Sequence, residues 1–294
     1  MIVSTLSGRR KVGRCVEDGA RRMAGRRMAG RRAAVRGGAI VIAAVLLGGC
    51  AGLDGGSGSD GDSGYGLVGD GEFTFALSGQ LAPFSFYENG KLTGFDVAIG
   101  TEVAKRLKLK PKPSTGAFNS LLAGLQAGRY DAIVGSMTNT PERAKVVDFS
   151  SDYYKSGAFL WVKSGSTARS IDDLRGAVVG VPLGSTFEAA MKKRSNVEKV
   201  KTYESDVDAL KDVPTGRADA AIVDKLVGAY AAKKGGMQVK PVGPALLDNS
   251  AAIPVRKKHR RLLTAVNKAL TDMKADGTYT RIFQQWFGIS PTQP

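Results

Sequence analysis

Tyr130-Asp131-Ala132-Ile133-Val134-Gly135-Ser136-Met137-Thr138-Asn139-Thr140-Pro141-Glu142-Arg143 is the stretch from which the fold can be read. Ala132 to Val134 is a short apolar run bounded by polar residues, the pattern of a buried strand in a parallel sheet. Gly135, Ser136 and Thr138 then place small hydrogen-bonding groups at the carboxyl end of that strand, where open α/β sheets bind their ligands. Thr140-Pro141-Glu142 reads as a helix start, with an N-cap, a proline at the first helical position and an acid in the first turn. Arg143 falls in that turn, where a guanidinium beside free backbone N–H groups suits a small carboxylate through two charge-assisted hydrogen bonds. Two readings of Arg143 stay open on these residues alone: a carboxylate clamp, or a surface helix residue paired with a nearby acid.

Downstream, the same joint recurs. Gly128-Arg129-Tyr130-Asp131-Ala132-Ile133-Val134 is echoed by Gly216-Arg217-Ala218-Asp219-Ala220-Ala221-Ile222-Val223, each after a helix-like segment. Two such units imply two lobes of related design. The first strand ends at Gly135-Ser136 and the second at Asp224, so the strand ends of both lobes can face one cleft.

Around these joints the patterns alternate between strand and helix. Phe73 to Leu77 reads as a strand, Gly94 to Leu107 as an amphipathic helix beginning near Asp96, and Asn119 to Ala127 as a helix ended by Gly128. Ala158 to Val162 and Ala177 to Val181 read as strands, and Gly184-Ser185-Thr186 opens a helix through Arg194. After Asp224 come a helix to about Lys234, a strand at Met237 to Val239, a loop rich in Pro and Gly, and a strand at Ala251 to Val255. Helices over Lys258 to Ala275 and Thr278 to Phe287 close the chain, the last with an aromatic stripe suited to packing.

The 294 residues are 43% hydrophobic, enough for a substantial core, and the net charge is +16. That excess is local. Residues 1–49 hold 11 Lys or Arg against Glu17 and Asp18, a net +9. Paired arginines followed by the short apolar run Ala39 to Leu47 make a secretory signal rather than a membrane span, and an apolar run so placed argues against an RNA-binding tail. Met23 and Met28 are alternative starts. With Cys15 in this leader, the mature chain keeps a single thiol, Cys50, and forms no internal disulfide. Ala51 to Gly71 is rich in Gly, Ser and Asp, a flexible linker with a reach of roughly 25 Å. The basic run Arg256 to Arg261 lacks interleaved aromatics and reads as a solvated helix start, not a nucleic-acid site. His259 is the sole histidine, so a His triad or His-based metal site has no material.

These residues resemble the family 3 bacterial extracellular solute-binding proteins. The likeness is carried by Gly94-Phe95-Asp96-Val97 with Val103-Ala104, by Pro83-Phe84, Asp131 to Arg143, Asp148-Phe149-Ser150 with Tyr153 to Gly157, Gly184-Ser185-Thr186, Arg217 to Ala220, and Ala275 to Tyr279 before Trp286-Phe287-Gly288. Leu47-Gly48-Gly49-Cys50 resembles the bacterial lipobox, which implies a leader over 1–49, lipidation of Cys50, and a linker over 50–71. The resemblance implies a two-lobed periplasmic-binding-protein-like α/β fold of type II. Each lobe would be a mixed, mostly parallel sheet flanked by helices, with residues 72–156 plus 250–294 as lobe 1 and 157–249 as lobe 2, joined by two hinge crossings. It further implies a monomeric receptor, free of cofactor and metal, on the outer face of the cell membrane. There it would deliver an amino acid to the permease of an ABC importer.

Carried over by position, Arg143 would clamp the ligand α-carboxylate, helped by Gly135, Ser136, Thr138, Ser185 and Thr186. Asp224 would take the α-ammonium, its other reading being a helix N-cap. Phe118 would wall the ligand. Leu81 stands where an aromatic often stacks, Ser78 where some members carry an acid against cationic side chains, and Pro182 where some carry Lys, which together favour a polar neutral or acidic ligand. A ligand sensor, or a dehydratase or hydrolase with Glu188 as general acid, are the alternatives on the same frame.

Overall fold

The computed structural model describes residues 64–291. The expected leader, Cys15, Cys50 and the linker up to residue 63 lie outside the described residues. Strand β1 (Glu72–Leu77) is buried almost throughout, as its apolar run requires, and is followed by the short antiparallel strands β2 (Gln80–Leu81), β3 (Ser85–Glu88) and β4 (Lys91–Thr93). Helix α1 (Phe95–Arg106) starts from Gly94 at φ 126°, and a Cβ there would lie 2.2 Å from the Phe84 carbonyl oxygen. Only glycine fits. The close approach lets the Pro83 and Phe84 carbonyls accept from the first N–H groups of α1, which have no partner within the helix.

The rest of the first lobe is β5 (Lys110–Thr115), α2 (Phe118–Gln126), β6 (Ala132–Ile133) and the one-turn α3 (Pro141–Ala144), whose N-cap Thr140 accepts from Arg143 N–H as the sequence predicts. A long strand, β7 (Val147–Lys163), leads into β8 (Ala177–Pro182), α4 (Thr186–Met191), β9 (Val197–Tyr203), α5 (Asp206–Thr215), β10 (Ala220–Asp224) and α6 (Lys225–Lys233). A second long strand, β11 (Val239–Arg256), returns to α7 (Arg260–Ala275) and α8 (Thr278–Phe287).

Among the described residues the main sheet runs β5-β1-β6-β11-β7-β10-β8-β9. Its two flanks mirror each other: β1 pairs in parallel with β5 and β6, and β8 in parallel with β9 and β10. The central pair β7 and β11 is antiparallel and runs through both halves, with Ser156 opposite Asn249. This is the two-lobed α/β architecture with two crossings. The internal repeat is also physical. Gly128 at φ 72° ends the segment after α2, and Gly216 at φ 75° caps α5. Asp131 then accepts from Thr74 N–H at 2.8 Å and Asp219 from Val178 N–H at 2.8 Å, each tying its joint to the neighbouring parallel strand.

Two expectations are corrected. Residues 240–250 are strand, not loop, because 240–242 and 247–250 pair with β7 on either side of an irregularity; on their other side β11 meets β6 only at Val255, so Pro241 sits where no further ladder needs an N–H. The helix opened by Gly184-Ser185-Thr186 ends at Met191, before Arg194. The core packs α1, α7 and α8 on the first lobe, and the α8 stripe joins Phe84, Phe95 and Tyr154, with Phe283 and Phe287 rings 4.5 Å apart. Of the basic run, Lys257 pairs with Asp148 at 2.6 Å, and Arg256 lies 3.8 Å from Asp131 and donates to the Gly66 carbonyl.

Candidate functional site

A cleft holding about 570 Å³ of space unfilled by protein atoms, its mouth included, opens between the lobes at the carboxyl ends of β6, β8, β9 and β10. Ser78, Leu81, Phe118, Ser136, Thr138, Arg143, Pro182, Ser185, Thr186 and Asp224 all lie on its wall. Gly135 does not. It packs against the strand behind, where a Cβ would sit 3.3 Å from Leu77 Cα.

Arg143 reaches in from lobe 1. Its guanidinium donates to the Thr138 carbonyl at 2.8 Å and, across the cleft, to the Gly184 carbonyl at 3.0 Å, and it lies 5.8 Å from the centre of the Phe118 ring. No carboxylate pairs with it among the described residues, so the reading as a surface ion pair falls. Burial lowers its pKa from the ordinary arginine value, which marks a cation short of counter-charge.

Asp224 faces it from lobe 2. It is 3% exposed and caps α6, its Oδ1 accepting from Leu226 N–H at 2.7 Å and from the Ser156 hydroxyl at 3.0 Å, while Oδ2 accepts from Asn249 Nδ2 at 2.6 Å. Asp224 is thus the α6 N-cap and also lies on the cleft wall. Asn249 also accepts from the Thr138 hydroxyl at 2.9 Å, so Asp224 connects to both crossing strands and, through Asn249, to lobe 1. Burial pushes its carboxyl up to about 6, against the pull of these donors.

Ser136 is held in the left-handed region at φ 56°, which a residue other than glycine adopts only when its surroundings enforce it. The enforcement is visible. Its hydroxyl donates to Asp96 at 2.9 Å, its N–H donates to the Tyr153 hydroxyl at 2.9 Å, and that hydroxyl donates to Asp96 at 2.7 Å. Asp96 is fully buried and its carboxyl is raised to about 7 by burial, opposed by the bonds from Tyr153 and Ser136. The Ser185 hydroxyl is committed to the Pro182 carbonyl and to Glu188 N–H, whereas Thr186 makes no side-chain hydrogen bond among the described residues.

Phe84, Tyr154, Phe187, Glu204, Ser205, Asp206 and Asn249 also line the cleft and were not read from the sequence as site residues. The segment read as loop concealed Asn249. Asp206 offered only the ordinary signal of an acid in the first turn of a helix. Its carboxyl is pushed up to about 7 by burial and by the nearby Asp224 charge, against the N–H bond from Asp224. Glu188 is not on the wall. It accepts from Gly184 N–H and pairs with Lys192, and although burial raises its pKa, these partners outweigh burial and leave it below the usual value, the opposite of a general acid at neutral pH.

Residues 73–289 match the bacterial extracellular solute-binding proteins, family 3. The L-cystine-binding protein TcyJ of Escherichia coli (strain K12) is 34% identical over 226 residues, 76% of this chain and 85% of that protein. Among solved structures, an ancestral arginine-binding protein bound to glutamine superposes with a TM-score of 0.70 at 39% identity, over 74% of this chain and 99% of that one. An ancestral amino acid-binding protein, a precursor of cyclohexadienyl dehydratase, superposes with a TM-score of 0.69 at 35% identity, over 74% and 96%. The chain thus belongs to family 3 of the bacterial extracellular solute-binding proteins.

Proposed function

We propose that this protein binds a free amino acid as its zwitterion between the two lobes and presents it to the permease of an ABC importer. One observation carries the reading: a guanidinium from lobe 1 without an acid partner and a buried carboxylate from lobe 2 face the same cavity. A zwitterion satisfies both, through charge-assisted bonds to Arg143 at its carboxylate and to Asp224 at its ammonium. Ser136, Thr138, Ser185 and Thr186 add polar contacts, and Phe118 and Leu81 add apolar wall. Ser78 contributes a hydroxyl, whereas Gly135 supports the strand rather than the ligand.

Lobe 1 is taken as 72–156 with 250–294 and lobe 2 as 157–249, with the hinges beside Ser156 and Asn249. Ligand contacts made by both lobes favour the closed form by differential affinity, and nothing is transformed. The lipobox-like Leu47 to Cys50 supports a receptor tethered through lipidated Cys50 to the outer face of the cell membrane, and it is taken to act as a monomer. Of the polar neutral or acidic side chains that the sequence favours, an acidic one would meet Glu204 and Asp206, so the ligand is taken to be polar and not negatively charged in its side chain.

A thermal-shift screen of the protein against the twenty amino acids tests this, since a ligand at 100 times its Kd stabilises by about 2.7 kcal/mol. A shift lost in both Arg143→Ala and Asp224→Ala is the expected result; no shift with any amino acid contradicts it. The raised carboxyls of Asp206 and Asp224 on the cleft wall favour a dehydratase or hydrolase instead. Turnover of a prephenate-like or glycan substrate, abolished in Asp206→Asn, would establish that reading.

A further inference from the structure

We propose that Asp206 and Glu204, at the turn between β9 and α5, form a subsite for a second positive charge, so that the preferred ligand carries an ammonium or guanidinium on its side chain. This rests on the amino-acid-receptor reading and narrows it. Arg143 is the one cation on the cleft wall, against Glu204, Asp206 and Asp224. A zwitterion bound between Arg143 and Asp224 leaves the other two acids uncompensated.

Asp206 is the more telling of the pair. It is 9% exposed, it lines the cavity, and among the described residues the one other residue that donates to its carboxylate is Asp224, from its N–H to Oδ1 at 3.2 Å. No Lys or Arg pairs with this residue among the described residues. Other buried acids are provided for. Asp131 accepts two N–H bonds with Arg256 alongside, Asp212 is held by Arg217, Lys201 and Tyr203, and Asp96 has two hydroxyl donors. A buried carboxylate without a counter-charge is costly, so it holds a proton until a cation replaces that proton, and the cavity is the side from which a cation can arrive. The raised pKa of Asp206 has the same origin.

Glu204 extends the subsite to the rim, where it is exposed and has no ion pair among the described residues. The nearest basic side chains in sequence are committed elsewhere, Lys201 to Asp212 and Lys211 to Asp208. Leu81 and Phe84 on the same wall offer apolar surface to the aliphatic stem of a long cationic side chain.

Calorimetric titration of the protein with L-arginine, L-lysine, L-glutamine and L-glutamate tests the proposal. The better of the two cationic ligands is expected to bind at least about tenfold tighter than glutamine, with glutamate weakest. In Asp206→Asn, which keeps an acceptor for Asp224 N–H, that preference should shrink to within about threefold through loss of the cationic ligand alone. An unaltered circular-dichroism spectrum reports an intact fold. Glu204→Gln, on the exposed rim, should reduce the preference by a smaller factor and keeps the test open if Asp206→Asn does not fold. Glutamine binding as tightly as both cationic ligands in the unaltered protein, or equal losses for glutamine and arginine in Asp206→Asn, overturns the subsite while leaving the receptor reading intact. Absence of binding by any of the twenty amino acids overturns both.

Discussion

The two lobes build the same joint and finish it differently. Five residues beyond the strand-tying Asp131 stands Ser136, and five beyond Asp219 stands Asp224. In lobe 1 the strand exit is a serine held at positive φ by Asp96 and Tyr153, and the charged group comes later, from a one-turn helix, with backbone carbonyls as its hydrogen-bond partners. In lobe 2 the charged group is the strand exit itself, and it caps α6 and binds both crossing strands. The contrast teaches that Arg143 is spare to the fold whereas Asp224 is part of it.

Arg143→Ala gives the largest effect and the sharpest separation. Amino-acid affinity should fall by about 2–5 kcal/mol, as for loss of one partner of a buried charge pair, while ligand-free stability in urea changes by less than about 1 kcal/mol. A comparable loss of stability would erase the distinction between the lobes. The pH dependence of the ligand-free protein comes next. Asp96 and Asp206 are raised to about 7 and Asp224 to about 6, above the unfolded value near 4, so the folded chain retains protons that the unfolded chain has released. Their effect is to lower stability as pH rises from about 4 to about 7, and a bound cation-bearing ligand should offset part of it. Asp212 and Asp276, lowered first by bonds from Arg217 and from Thr278 N–H respectively, act in the other sense, their contribution lost as pH falls through their lowered values. Stability that rises steadily from pH 4 to 7 would contradict the burial of these three carboxyls.

Asp224→Ala should lower affinity too, and unlike Arg143→Ala it should also lower ligand-free stability by about 1–2 kcal/mol through the lost cap. Chemical denaturation checks this, and an unchanged midpoint would place the residue outside the framework. The smallest change is Tyr153→Phe, which removes a donor from Asp96 and an acceptor from Ser136 N–H and should cost about 1 kcal/mol of stability. Hydrogen exchange at Ser136 should quicken in that variant; an unaltered rate would show that the strained turn holds itself.

Much of this was legible because it is local. The glycine-to-strand joints, the Thr140 cap and the residues just past the strand ends follow from a few neighbouring side chains; Ser136, Thr138, Arg143, Ser185, Thr186 and Asp224, so picked out, share one cavity wall with Ser78, Leu81, Phe118 and Pro182, which the family resemblance supplied. What was not legible depends on distant neighbours. β5, with Pro111 and Pro113, and β9, with alternating lysines, are the outermost strands of the sheet, where charge and proline protect an edge and weaken the strand pattern. β7 and β11 each pass through two lobes, so neither shows one uniform period, and Asn249 went unseen with them. Asp206 looks in sequence like any first-turn acid, and only the fold of α5 against β10 turns it to the cleft.

Removing each half of the proposed ion pair in turn, from the ligand and from the protein, tests the central claim most directly. Binding of the best amino acid and of its carboxamide would be measured by calorimetry in the unaltered protein and in Arg143→Ala. If the guanidinium grips the carboxylate, the carboxamide should bind weakly to the unaltered protein, and Arg143→Ala should no longer distinguish the two ligands, a coupling of about 2 kcal/mol or more. Losses that simply add would mean that the two groups do not meet, and the account of the cleft would fail.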